Sequence, residues 1–183
     1  LYGALKLGLD SFVDAIQSKY DNIEFYFGNI DVRHHLLRQQ DPDEATREIV
    51  KEYARQALEV SKKYDCPVTL YELLPIEDEK RCIPKTGWYE GSPFYGSRVQ
   101  RDNIRLLFKQ ELKRYQSDRV RVFEWVDHLI NFKGELDFKY MEKPKSVHLS
   151  REFYPHWQGW EWNGLPEPIK TQKTTYASLE SFL

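Results

Sequence analysis

The chain has 183 residues, 40% of them hydrophobic and 15% aromatic, which suffices for one globular domain with its own core and leaves no room for a second. Its 27 lysines and arginines nearly balance its 29 aspartates and glutamates, and the formal charge of -2 excludes recognition of nucleic acid or of an anionic membrane by a bulk field. No apolar run approaches the roughly 20 residues that a membrane-spanning helix needs, and Cys66 and Cys82 form no CxxC pair or disulfide framework, so a soluble protein of a reduced, cytoplasmic-type compartment is expected.

In chain order, Asp10 and Ser11 predict a cap for a helix beginning near Phe12, with Phe12, Val13, Ile16 and Tyr20 on one face. The run IEFYFGNI, Ile23 to Ile30, follows as a buried strand. From Asp43, the spacing of Ile49, Tyr53, Ala57, Ser61 and Tyr64 is helical for about five turns, and Pro42 stands where helices start. Val68 to Leu74 reads as a second strand closed by Pro75.

Between Pro75 and Gly96 the sequence is broken by prolines and glycines and carries Trp88, Tyr89, Phe94 and Tyr95, which predicts a long loop too aromatic for a linker. Ile104, Leu107, Phe108, Leu112 and Tyr115 mark a third helix, and Arg119 to Trp125 a third strand. Residues 1–156 form the expected domain. From Trp157 the glycines, prolines and polar run predict an extended C-terminal arm, 157–183, whose tryptophans carry a small core of their own or dock on a neighbouring subunit of a homo-oligomer. The loop aromatics would suit a carbohydrate cleft.

Strands separated by single helices imply right-handed crossovers and a parallel sheet covered on both faces, an α/β three-layer sandwich. Ligands of such sheets bind beyond the carboxyl ends of the strands, here Gly28 to His35, Glu72 to Glu77 and Glu124 to His128. The strongest cluster is FYFGNIDVRHH, where an apolar strand delivers Asn29, Asp31, Arg33, His34 and His35. Two readings stand: a pocket floor in which Gly28 lets the backbone approach a ligand, or an ion pair between Asp31 and Arg33 that fixes the loop. His34 and His35 are adjacent without a third ligand at metal-like spacing, and no phosphate-cradling glycine motif is present, so neither metal nor cofactor is expected.

The strand followed by FGNID, arginine and histidine resembles the third conserved block of the SGNH/GDSL hydrolases in its FGEID form. KPKSVHLS, beyond the third strand, stands where the family's last block, D-x-x-H, would stand, and LYGAL resembles the region around its second block. The resemblance implies a flavodoxin-like fold and hydrolysis of an ester, such as an acyl group on a carbohydrate or lipid. It makes His148 the catalytic base, Gly3 and Asn29 the oxyanion donors, and Asp31, Arg33 and His35 the residues that shape the substrate pocket. Three positions depart from the family pattern. Ile30 occupies the usual oxyanion asparagine position, Lys145 stands where an aspartate would orient His148, and the G-D-S nucleophile block has no counterpart. Ser11 of GLDS is rejected as that nucleophile because only one helix separates it from the FGNID strand. Asp137 and Glu142 are the nearby carboxylates that would substitute for the missing aspartate. The family's first strand and serine would then precede Leu1 or be absent, and in the second case the fold would serve as an inactive binding or structural module.

Overall fold

The computed structural model describes residues 1–15, 19–78, 85, 90–93, 95–143, 146 and 148–154. The expected arm at 157–183, most of the aromatic loop, Cys82 and Lys145 lie outside the described residues. Two short helices, α1 (Tyr2–Leu7) and α2 (Leu9–Asp14), precede strand β1 (Ile23–Phe25). A π turn at Asp31–His35 leads to α3 (Pro42–Tyr64), β2 (Val68–Tyr71), α4 (Arg98–Arg114) and β3 (Val120–Phe123), with short 3-10 turns beyond.

The three strands form one parallel sheet in the order β1-β2-β3, with Ile23 beside Val68 and Val68 beside Val120. The chain is therefore of the α/β class. Right-handed crossovers between strands laid down in sequence put both crossover helices on one face, and α3 and α4 do pack against each other. That face buries Phe25, Val68, Leu70, Val120 and Val122 under Val50, Tyr53, Ala57 and Val60 of α3 and Ile104, Phe108 and Leu112 of α4. Each such side chain contributes roughly 1.5–3 kcal/mol of burial.

The opposite face is covered differently. Tyr71 and Phe123 point there, as strand alternation requires, and are joined by Trp125, Val126, Leu129, Leu136, Met141 and Leu149. No long helix supplies this layer among the described residues; a turn-rich segment after β3 does. Central strand β2, covered from both sides, is buried at all four positions.

Local signals explain the helix ends. Asp41 accepts a hydrogen bond from the Glu44 N–H (2.9 Å) ahead of Pro42, which starts α3 as its position in the sequence suggested. Ser97 and Gln100 close a reciprocal capping box on α4. The expectation for α2 is corrected: it begins at Leu9, and Asp10 and Ser11 lie inside it. Leu9 is buried, and its N–H is taken by Oε1 of Gln56 (2.9 Å), so a side chain of α3 does the capping while the Ser11 hydroxyl bonds the Gly8 carbonyl.

Candidate functional site

The strand ladder of β1 stops at Phe25, five residues before the apolar run does. Tyr26 and Phe27 stay half-buried and pack into the core without pairing, because the backbone turns away at Gly28, whose φ is +117°. A Cβ there would meet Phe108 at 3.1 Å and Leu73 at 3.2 Å. This glycine accommodates the core from behind, so its form follows from packing and not from the approach of a ligand.

The loop that follows is held by Arg33, which is 3% exposed. Its Nε donates to Oε2 of the fully buried Glu77 (2.8 Å), its Nη2 to the Pro75 carbonyl (2.8 Å), and its Nη1 to the carbonyl and Oδ1 of Asn29 (both 3.3 Å). One guanidinium thus fastens the carboxyl end of β1 to that of β2. Asn29 Oδ1 also accepts the Leu74 N–H (3.1 Å). Both neighbours of that atom are donors, which fixes it as the oxygen and makes the other terminal atom the amide nitrogen, a donor.

Asp31 and Arg33 do not pair in the way the sequence suggested. Asp31, 2% exposed, accepts from the main-chain nitrogen of Leu1 (2.7 Å) and more weakly from that of Tyr2 (3.4 Å), tying the start of α1 to this loop. Gly3 follows directly in the first turn of α1; it is exposed, and a Cβ on it would meet nothing within 4 Å. First-turn N–H groups have no partner within their own helix. Asp31 therefore holds Gly3 and Asn29 on tethered segments. His34 is buried and His35 half-buried within the π turn.

His148 lies on the turn-rich segment. It is exposed; its N–H donates to Ser146 Oγ (3.0 Å) and its carbonyl accepts from the Glu142 N–H (3.0 Å). Leu149 beside it is buried with Leu74 and Trp125, and the Tyr154 ring packs 6.0 Å from Trp125 and 6.4 Å from Tyr26. Leu74, Trp125 and Tyr26 all stand just beyond strand ends. The His148 segment thus reaches the same end of the sheet as Asn29. The Tyr26 hydroxyl is buried there, and burial pushes its pKa well above the usual tyrosine value, although Asn29 and Arg33 pull the other way.

Sequence reasoning marked the stretch from Glu72 to Glu77 beyond the second strand but gave neither glutamate a role, and it did not single out Tyr26 or Ser146. Glu72, 1% exposed at the end of β2, binds Lys109 (2.7 Å) and Arg105 (3.5 Å) and so anchors α4 to the sheet. Among the described residues no three His, Cys, Asp or Glu side chains group as metal ligands would, and no helix is long and apolar enough to cross a membrane. Cys66 is a free, buried thiol whose pKa burial raises. No family model matches the chain, and neither a curated protein nor a solved structure matches it.

Proposed function

We propose that this chain is the later part of a flavodoxin-like, SGNH-like hydrolase domain that cleaves an ester, such as an acyl group on a carbohydrate or lipid. One observation carries the reading: Asn29 stands on the loop beyond the carboxyl end of β1, Asp31 of that loop tethers the segment that carries Gly3, and the His148 segment packs through Leu149 and Tyr154 beside Leu74, Trp125 and Tyr26 at the same end of the sheet. On this reading His148 is the base that takes the nucleophile's proton and later returns it to the leaving alkoxide. The Asn29 amide nitrogen and the Gly3 N–H donate to the oxyanion that forms on the carbonyl. Arg33 and Asp31 hold those donors in place, and His35 lines the approach to them.

The family's serine has no counterpart in these residues, so the reaction is tested on the whole product of the gene. Hydrolysis of p-nitrophenyl acetate is expected to vanish in His148→Ala and to fall about 10²–10³-fold in kcat in Asn29→Ala. Unchanged turnover in both variants would overturn the assignment. A second reading, that the fold serves as a binding or structural module assembling through its C-terminal arm, is favoured by Lys145 in the orienting position and by the complete engagement of Arg33 and Asp31. Absence of turnover from the whole product would decide for it.

A further inference from the structure

We infer that Glu142 is the carboxylate that orients His148, replacing the aspartate expected at position 145; the inference rests on the hydrolase reading above and fills the part of its site that the sequence leaves open. The strand-like segments on either side of 143–147 form a narrow antiparallel ribbon in which Met141 stands opposite Leu149. The Ser150 N–H donates to the Tyr140 carbonyl (2.9 Å) and the Glu142 N–H to the His148 carbonyl (3.0 Å). Those two bonds bracket the Met141 and Leu149 pair and set Glu142 opposite His148, joined by the second of them while the His148 main-chain N–H turns to Ser146.

Alternation does the rest. Met141 and Leu149 turn into the apolar cluster, 5% and 3% exposed, so Glu142 and His148 project together from the other face, where both are exposed. A rotation about the side-chain bonds brings imidazole N–H and carboxylate together, and the same exposure admits a substrate to the ring. Ser146, 8% exposed, steadies the arrangement: its hydroxyl donates to Glu142 Oε1 (3.0 Å) and accepts the His148 N–H (3.0 Å).

Lys143 also approaches Oε1, at 3.7 Å, but it is largely solvated, where such pairs are weak. Among the described residues, Ser146 and Lys143 both approach Oε1, which leaves Oε2 for the ring. Asp137, the other carboxylate named as a substitute, is engaged locally: it accepts the Lys139 N–H at 3.1 Å and pairs with the Lys139 ammonium at 3.2 Å. The segment that follows the ribbon packs beside the end of β1, where the Tyr154 ring lies 6.4 Å from that of Tyr26.

Two readouts on the whole gene product test this. Turnover of p-nitrophenyl acetate is expected to fall roughly 100-fold in Glu142→Ala and to be largely kept in Glu142→Asp. Independently of turnover, the ring ¹⁵N shifts of neutral His148 are expected to report one dominant tautomer in the wild type and a mixture in Glu142→Ala. Identical ring shifts in the two folded proteins would overturn the pairing. A tautomer change in a protein without turnover would instead uphold the pairing and reject the hydrolase.

Discussion

The loop after β1 and the ribbon around His148 lie at the same end of the sheet and treat their polar groups in opposite ways. Asp31 and Arg33 of the loop, and Glu77 that reaches Arg33 from beyond β2, are buried, and their charges meet opposite charges or main-chain groups at 2.7–3.4 Å. In the ribbon, Glu142 and His148 are exposed, and one serine hydroxyl is the link between their side-chain and main-chain atoms. Desolvation accounts for the difference. A buried charge must be paired or it costs several kcal/mol, whereas an exposed one is free to wait for a ligand. The locked half of the candidate site therefore sets positions, and the open half is where chemistry with a substrate is possible.

That division is broken most directly through Glu77. Glu77→Ala strands the Arg33 guanidinium in a buried setting and is expected to cost about 3–5 kcal/mol, read from urea denaturation. A loss below about 1 kcal/mol would show that Arg33 reaches water and that the loop is as open as the ribbon. Next in size comes Gly28→Ala, which forces a side chain onto a +117° φ and against Phe108; about 1–3 kcal/mol is expected from the same measurement.

Alkaline pH probes the same interior more gently. Burial raises the pKa of Tyr26 and Tyr53 above the ordinary value of 10.0, so their neutral forms are favoured in the folded state. The stability this supplies is present below about pH 10 and is lost as the pH climbs toward the folded values, because the unfolded chain then releases the protons first. Tyr26→Phe, which keeps the ring and removes the proton, is expected to flatten the fall of the urea midpoint above pH 10. An unchanged slope would mean that the Tyr26 hydroxyl is solvated in the folded protein.

How much of this was legible in the sequence depends on whether a signal is local. The repeat of helix and strand, the parallel order and the helix start at Pro42 were legible because apolar spacing and turn chemistry act over a few residues. The start of α2 was not, because its cap is Gln56, supplied from 47 positions away. The end of β1 was not, because Tyr26 and Phe27 look like strand residues while serving the core from a turn. Within the site, FGNID announced a polar cluster, but the partner of Arg33 lies 44 residues on at Glu77, and no local pattern marks that glutamate. The pairing of Glu142 with His148 depends on a ribbon register that a polar, turn-rich stretch does not encode in its periodicity.

The smallest expected effect is the sharpest discriminator between the two regions. His148→Ala removes an exposed ring from a residue whose hydrogen bonds among the described residues run through its main-chain N–H and carbonyl, and both survive the substitution. Neither a cavity nor an orphaned buried group results, so the urea midpoint is expected to stay within the roughly 0.5 kcal/mol typical of neutral surface changes. Such stability, combined with lost turnover, would mark the ring as held for chemistry. A loss above about 1 kcal/mol would place His148 with Arg33 among the residues that hold the fold, and the base would have to be sought elsewhere on the open face.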